Sequence, residues 1–257
     1  MKCNINGRYK NNQVKGDKRL KEIVENLDDM KIGLDDSFKF HCTMCGRCCV
    51  NREDILLTPK DIYNIARELN KNPVDVLNSY CEWYIGSNSR VPIVRLLPQG
   101  YNRRCPLLNG NKCSVHRSKP AVCAMFPIGR CLTADAEKAK TGKIEFSEIQ
   151  YIFTKPGCGD DAETHTVREW LSEFGMETED QYFIHWHYTI SEAGVVVRKL
   201  EKAGDKDSAE LLWDVMLQCL YLNYDMEKDF SDQFEKNSLA IHELVKRVSE
   251  MRTEDPE

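Results

Sequence analysis

Cysteine is the residue that most constrains this chain. Twelve cysteines occur among 257 residues, and ten of them lie between Cys42 and Cys158. Short secreted proteins with an even number of cysteines are typically held by disulfides, which is the alternative here. This chain, however, shows no signal-peptide pattern, and its apolar content of 41% is enough to form a core. We therefore expect a cytoplasmic protein whose thiols are reduced and available as metal ligands.

The composition predicts a folded chain without a membrane span. No window approaches the ~18 uninterrupted apolar residues that a membrane helix needs, and no repeat or low-complexity segment occurs. We expect neither membrane nor nucleic-acid partners, because no nucleic-acid-binding module is recognisable. Phosphate-binding loops, serine elbows and zinc-protease motifs are absent as well, so nucleotide binding and the common hydrolase activities have no support in the sequence.

Local signals in the first half predict both helices and strands. Proline at the first helical position predicts helices over 59–70 and from Pro73 to Tyr80. Apolar, β-branched segments predict an edge strand or extended segment over 91–97 and a strand over 144–153. The Asn109-Gly110 pair predicts a two-residue hairpin in which Leu108 faces Asn111 and Cys105 faces Ser114.

The second half has a helical pattern. Thr166 and Glu169 form a capping box, and Gly175 is a stop signal for the same helix. The Asp160-Asp161 pair is interpreted as a helix start or a solvated acid pair. Further helices are expected near 178–191, 206–224 and 229–250. Their predicted core residues are Trp186, Leu212, Trp213, Val215, Leu220, Leu222, Phe234, Leu244 and Val245.

The predicted fold class is α+β. We expect an irregular cysteine-rich metal-binding core with short helices and a hairpin, followed by a helical C-terminal region. The predicted divisions are an extension over 1–37, a cysteine-cluster domain over 38–160, a helical region over 161–250 and an acidic tail over 251–257. The extension carries a modest helical stripe at Ile23, Val24 and Leu27.

The first cysteine group has the spacing of a metal knuckle. It reads Cys42-x2-Cys45-Gly46-Arg47-Cys48-Cys49, and a glycine at this place supplies backbone freedom. Adjacent side chains point in different directions in extended backbone, so we expect one of Cys48 and Cys49 to serve a second site. A thiol-redox motif is the competing interpretation, but no βαβ pattern surrounds it. The later cysteines that could complete these sites are Cys105, Cys113, Cys123, Cys131 and Cys158.

The number of thiols allows two four-coordinate centres, or one cluster and one ion. Cys42, Cys45 and Cys48 with a distant Cys105-Pro106 are spaced as in bacterial ferredoxins that bind a 4Fe-4S cluster. This spacing favours an iron-sulfur cluster, while Zn²⁺ is the alternative because it accepts any tetrahedral set of thiolates.

One segment is strongly basic. Residues 83–134 contain eight basic and no acidic residues. A four-thiolate metal centre is anionic, so nearby cations would stabilise it. The alternatives are a solvated basic face and a site for an anionic substrate or nucleic acid. The eight residues are Arg90, Arg95, Arg103, Arg104, Lys112, Arg117, Lys119 and Arg130.

The ordered motifs resemble the CxxCxxCC (YkgJ-like) family of zinc- or iron-chelating proteins between Phe38 and Gly159. The motifs are Cys42-x2-Cys45-Gly46-x-Cys48-Cys49, Leu57-Thr58-x2-Asp61, Cys105-Pro106-Leu107-Leu108, Cys113-x2-His116-x2-Lys119-Pro120-x2-Cys123 and Phe126-Pro127. His116, Lys119 and Ala124 depart from the family's usual residues. The resemblance implies eight metal ligands: Cys42, Cys45, Cys48, Cys49, Cys105, Cys113, Cys123 and Cys158.

The same resemblance implies two alternative functions. Flagellin lysine-N-methylases carry a similar cluster, which suggests an enzyme that transfers methyl groups to lysines of a protein substrate. A metal or redox carrier is the other alternative.

The other four cysteines and several histidines are not among the eight implied ligands. Cys131 is an alternative ligand or a small buried residue, while Cys3, Cys81 and Cys219 are expected to be structural or surface thiols. We expect His116 to lie beside the ligands or in the core, and His41 to hydrogen-bond a sulfur. His185 and His187 do not share a helix face, so they are not expected to form a paired ligand site.

Overall fold

A computed structural model describes residues 25–251, and the chain over this range is a mixture of short strands and helices that ends in three longer helices. The predicted α+β class is confirmed. Ile23, Val24, Cys3 and most of the acidic tail lie outside the described residues, while Leu27 begins a helix of four residues.

The first half contains most of the strands. Its elements are α1 (Leu27–Met30), β1 (Lys31–Ile32), β2 (Ser37–His41), β3 (Leu56–Leu57), α2 (Pro59–Glu68), α3 (Pro73–Tyr80), β4 (Cys81–Ile85), β5 (Pro92–Leu96), β6 (Leu108–Asn109) and β7 (Lys112–Cys113).

The second half contains the longer helices. Its elements are α4 (Ala121–Met125), β8 (Ile128–Leu132), α5 (Ala136–Thr141), β9 (Ile149–Phe153), β10 (Asp160–Thr166), α6 (Val167–Glu173), α7 (Gln181–Lys202), α8 (Lys206–Leu217) and α9 (Phe230–Met251). Short 3₁₀ turns occur at Arg47–Cys49, His116–Ser118 and Phe146–Glu148, and a π-helical turn at Gln218–Leu222 follows α8.

The strands form four small antiparallel sheets. Their strand orders are β1-β9-β8, β10-β2, β3-β5-β4 and β6-β7. Such short sheets have little stability alone, so each depends on the helices and loops that pack against it.

The predicted start of α2 is confirmed by its hydrogen bonds. The Thr58 side chain accepts from the amide of Asp61, and the Asp61 side chain accepts from the amide of Thr58. Asn72 caps α3 by accepting from the amide of Asp75. Each cap satisfies amides that have no partner within the helix, which explains why both helices begin at the predicted prolines.

The segment predicted as an edge strand lies at the centre of its sheet. β5 is bordered by β3 and β4, so the edge assignment is wrong. Proline is tolerated because Pro92 is the first residue of the strand and pairs with Ile85 at the end of β4. On the other side, β3 pairs with Val94 and Arg95, away from the proline.

The predicted hairpin exists, but its register is wrong. Leu108 pairs with Cys113 and Asn109 with Lys112, so the turn consists of Gly110 and Asn111. Gly110 has φ +61°, and it therefore takes the first turn position while Asn109 stays in the strand. Cys105 does not pair with Ser114, whose amide donates to the Leu107 carbonyl at 2.8 Å.

A strand was missed after Cys158. Residues 160–166 form β10, which pairs with β2, so the helix-start interpretation of Asp160-Asp161 is wrong. This segment is polar and its register shifts between Asp160 and Thr164, which hides the alternation typical of a strand. The strand predicted over 144–153 is also shorter, because the turn at Phe146–Glu148 occupies its first part.

Helix α7 extends eleven residues beyond its predicted end at 191. Gly194 lies inside it, and a Cβ atom there would come within 2.4 Å of the Ser89 carbonyl oxygen. The glycine therefore allows the loop before β5 to approach the helix. The α6 capping box and the stop at Gly175, with φ +61°, are confirmed.

Two apolar cores hold these elements together. The first joins β3, β4, β5, α2 and α3 to α7, α8 and α9, and Cys105, Cys113 and Cys123 pack against it. The second lies between β2, β8, β9 and α6. All nine predicted core residues of the helical half are fully or partly buried in the first core. None of the helices in the described part of the chain has the length and apolar composition that a bilayer span requires.

Candidate metal centre

The first cysteine loop follows β2 and ends in a 3₁₀ turn. Cys42 and Cys45 are exposed. Gly46 adopts φ +73° just before the turn, a conformation that glycine reaches at little cost. The turn brings the Sγ atoms of Cys48 and Cys49 to 3.7 Å from each other. The backbone here is helical and not extended, so the two side chains do not diverge, and the expectation that one of these cysteines serves a second site stays a prediction.

Backbone hydrogen bonds fasten Cys105 to this loop. The Cys105 amide donates to the Cys49 carbonyl at 2.8 Å, and the Asn51 amide donates to the Arg103 carbonyl at 2.8 Å. Val50 and Arg104 form an isolated β-bridge between the same two segments. Cysteines 56 residues apart in sequence are thus held beside each other by the main chain.

Cys158 approaches the first loop from another direction. It lies in the turn between β9 and β10, and Arg47 Nη1 donates to the Gly157 carbonyl at 3.4 Å. Gly159 has φ +74°, and a Cβ atom there would lie 2.5 Å from the His41 carbonyl oxygen. A side chain at position 159 would therefore push the turn that carries Cys158 away from β2.

The thiols of Cys48 and Cys49 affect each other's pKa. The thiol of Cys49 hydrogen-bonds to Cys48 and lowers the pKa of Cys48 to about 6, with help from the charge of Arg52. The same hydrogen bond raises the pKa of Cys49, as do burial and the charges of Cys48, Cys105 and Cys123. Of the two thiols, Cys48 therefore loses its proton more readily.

The charges that act on each thiol show which predicted ligands lie near one another, and the charge of Cys48 acts on Cys105, Cys113, Cys123 and Cys158 alike. The pKa of Cys158 is raised to about 11 by burial and then by the charges of Cys48, Cys45 and Cys42. The pKa of Cys123 is raised by burial and then by the charge of Cys105, and the pKa of Cys105 by burial and then by Cys113. We call Cys42, Cys45, Cys48 and Cys158 the outer set. We call Cys49, Cys105, Cys113 and Cys123 the inner set.

The two sets differ in exposure and meet at one contact. The outer set includes the exposed Cys42 and Cys45, whereas every member of the inner set is partly buried. Cys48 of the outer set touches Cys49 of the inner set, and its charge also acts on Cys105 and Cys113. All eight predicted ligands therefore lie in one neighbourhood.

The chemistry of the donors suits zinc or iron, whereas their arrangement in the described part of the chain does not form a complete coordination shell. Among residues 25–251, no three cysteine, histidine or carboxylate side chains are arranged to hold one metal ion. Sulfur donors are nevertheless those that zinc and iron-sulfur centres prefer.

Three cations act on these thiols. Arg52 is held by Asp54, with 2.6 Å between Nη2 and Oδ2, and its charge lowers the pKa of Cys48. The backbone amide of Arg47 and then its charge lower the pKa of Cys45. The charge of Lys119 opposes the effect of burial on the pKa of Cys113.

The basic segment 83–134 contributes ion pairs to the fold. The charge of Lys119 acts on Cys113, so the expectation that the segment stabilises a metal centre stays a prediction. Four of its six arginines pair with acidic residues outside the segment. These pairs are Arg90 with Glu201, Arg95 with Glu82, Arg103 with Glu53, and Arg130 with Asp180.

The other described cysteines, Cys81, Cys131 and Cys219, belong to neither set. Cys131 is in β8, where its Sγ donates to the Gln150 carbonyl at 3.6 Å, so the structure does not bring it to the other ligands. Cys81 is buried at the start of β4, and Cys219 is partly buried in the π-helical turn.

The predicted histidines do not face the sulfurs. His41 Nδ1 hydrogen-bonds Asp160 Oδ1 at 3.1 Å, so the expected bond to a sulfur is replaced by one to a carboxylate. His116 is exposed on its 3₁₀ turn, which contradicts a core position. His187 Nδ1 lies 2.8 Å from the Phe183 carbonyl of its own helix.

Two residues have contacts that the sequence does not reveal. Arg52 lies three residues after Cys49, but its salt bridge to Asp54 and its action on Cys48 need the folded loop. Asp61 belongs to one of the motifs of the resemblance, and the structure shows that it caps α2 and also accepts from the Ala121 amide at 2.8 Å.

Comparison with known proteins supports the metal assignment at the level of a domain family. A family model for CxxCxxCC, described as a putative zinc- or iron-chelating domain, matches residues 41–149. The match contains seven of the eight predicted ligands and ends before Cys158. Neither the curated proteins nor the solved structures gave a match. Residues 41–149 thus match the model of a zinc- or iron-chelating domain, in agreement with the resemblance of the ordered motifs.

Proposed function

We propose that the CxxCxxCC domain binds two zinc or iron ions in adjacent four-thiolate centres. The outer set would hold one ion and the inner set the other. The observation that carries this proposal is the 3.7 Å contact between Cys48 and Cys49, because it joins two groups of four thiols. Four thiolates give a divalent ion the tetrahedral shell that it adopts in structural sites.

The contact also limits the distance between the two ions. A metal–sulfur bond is about 2.3 Å, so two ions bound to touching sulfurs would lie within roughly 8 Å of each other. Each filled centre would carry about two negative charges. Arg47, Arg52 and Lys119 lie where they would offset this charge. A reducing compartment, as expected from the cysteine content, would keep the thiols free to bind.

An iron-sulfur centre is the second candidate. In two-cluster ferredoxins the cysteine before proline binds the cluster that the other three cysteines do not. The proposed sets have the same division, because we assign Cys105-Pro106 to the inner set and Cys42, Cys45 and Cys48 to the outer set. This agreement supports iron-sulfur chemistry on the same two groups of ligands.

The remaining functions have less support. Exposure of Cys42 and Cys45 favours exchange of metal with a carrier or chelator over a fully closed outer site. Lysine methyl transfer remains a prediction from the resemblance, because nothing among the described residues favours a methyl-donor site.

The two-centre proposal predicts which ion each substitution removes. Cys45→Ser should lose the outer ion and Cys123→Ser the inner ion, so each variant should retain about one of two ions. Cys131→Ser is the matched control and should retain both, since Cys131 lies in β8 away from the two sets. Metal content would be measured by elemental analysis on anaerobically purified protein. Equal metal content in all three variants and the wild type would reject the ligand assignment.

A further inference from the structure

We propose that Asp61 is a positioning residue that holds Cys123 in place for the inner set by capping helix α4 from helix α2. This inference rests on the proposed function, because it concerns how one of the predicted metal ligands is placed. Asp61 itself is not proposed to touch the metal.

The Asp61 carboxylate connects two helix N-termini. Asp61 is the third residue of α2 and is 5% exposed. Its Oδ2 atom accepts from the Thr58 amide at 2.8 Å and from Thr58 Oγ1 at 2.9 Å. Its Oδ1 atom accepts from the Ala121 amide, the first of α4, at 2.8 Å.

Helix α4 has no side-chain cap of its own. Its N-cap residue is Pro120, which offers no side-chain acceptor to the first amides. An anionic acceptor at this end satisfies one of those amides and interacts favourably with the helix dipole. Cys123 follows Ala121 by two residues, and its own amide donates to the Pro120 carbonyl at 2.8 Å. The position of Cys123 is thus tied to the carboxylate on α2.

Other contacts make α2 a firm support. Ser118 Oγ donates to Glu68 Oε2 at 3.2 Å, so the segment before α4 is attached to α2 at a second point. The Lys60 amide donates to the Tyr182 hydroxyl of α7 at 3.1 Å, which fixes the start of α2 against the helical half. Because α2 is fixed against the first core, a carboxylate on α2 restrains the position of Cys123.

Burial distinguishes Asp61 from an ordinary capping residue. Asp75 occupies the same third position of α3, where it pairs with the Asn72 cap and is exposed. A local cap therefore does not require burial. Burying a carboxylate is costly unless hydrogen bonds compensate, and the Ala121 amide supplies one of the three that Asp61 accepts.

The test compares Asp61→Ala, Asp61→Asn and the control Asp75→Asn in the full chain. In metal-free protein, hydrogen exchange at the Ala121 amide should be about tenfold faster in Asp61→Ala than in the wild type, since a bond to a charged acceptor is lost. In zinc-loaded protein, alkylation of Cys123 should accelerate by a similar factor, while Cys45 stays protected. Asp75→Asn should leave both readouts unchanged.

The outcomes separate this inference from the proposed function. If zinc protects Cys123 in the wild type and equally well in Asp61→Ala, the positioning role is overturned while the ligand assignment stands. If zinc protects no cysteine in the wild type, the proposed function fails, and the inference fails with it. Should Asp61→Ala not fold, Asp61→Asn decides. Its single amide oxygen cannot accept at both Thr58 and Ala121, so unchanged exchange at both amides, together with unchanged protection of Cys123, would overturn the role.

Discussion

Single residues determine the path of the cysteine loops, and Gly159 is the residue whose backbone conformation and close contact most restrict a side chain. Its φ of +74° disfavours any side chain, and a Cβ atom would meet the His41 carbonyl at 2.5 Å. We expect Gly159→Ala to lower the free energy of unfolding by about 1–3 kcal/mol, because both the strain and the contact oppose the native turn. Urea denaturation of metal-free protein measures this.

Gly157 provides the control for that substitution two residues away. No atom lies within 4 Å of a Cβ built there. Gly157→Ala should therefore stay within about 0.5 kcal/mol of the wild type. Equal stability of the two variants would show that the close approach at Gly159 does not constrain the turn.

At this scale the sequence predicts candidate ligands more readily than the residues that support them. Spacing indicates the first group, from Cys42 to Cys49, and the resemblance implies the full set of eight cysteines, which stays a prediction. The roles of Asp61 and Arg52 could not be predicted, because their partners, Ala121 and Cys48, come close to them only when the chain folds. A residue that acts across the fold leaves no local pattern.

Among the helices, a buried polar contact joins α7 to α9. Thr189 is fully buried, and its Oγ1 donates to the His185 carbonyl at 2.9 Å and lies 3.2 Å from His242 Nε2. His242 Nδ1 pairs with Glu192 on the other side. Both ring nitrogens of His242 therefore have partners on α7.

Removing the hydroxyl should weaken this contact between helices. Thr189→Val keeps the shape but leaves His242 Nε2 without its partner, so we expect a loss of about 1–2 kcal/mol in the free energy of unfolding. Ser249→Ala is the control, since Ser249 Oγ donates to the Val245 carbonyl of its own helix. A chemical denaturation series that shows equal losses for both would contradict the role of the interhelical bond.

Helices whose capping residues lie close together in the sequence could be predicted, whereas strands whose position depends on a pairing strand could not. The starts of α2, α3 and α6 follow from capping residues within four positions of each other. The central place of β5, the hairpin register and the existence of β10 depend on which strand lies alongside. Pairing of β10 with β2 could not be predicted because its polar sequence carries no strand alternation.

For the molecule as a whole, the cysteine loops and the helical half are parts of one packing arrangement. Cys105, Cys113 and Cys123 pack on the core that α7, α8 and α9 share with α2 and α3. The predicted boundary between the cysteine-cluster domain and the helical region, at residue 160, therefore stays a prediction. Metal bound to the inner set would be expected to stabilise both halves, because binding to the folded state alone raises its stability.

Native mass spectrometry of the anaerobically purified chain tests the central claim most directly. The mass of the intact chain reports how many ions it carries, and whether they are zinc, iron or iron with sulfide. Two four-thiolate centres predict a mass increase equal to about two zinc or iron ions. An increase that includes sulfide would assign iron-sulfur clusters to the same cysteines. A chain at its bare mass, or one with a single ion that persists in both Cys45→Ser and Cys123→Ser, would contradict the account.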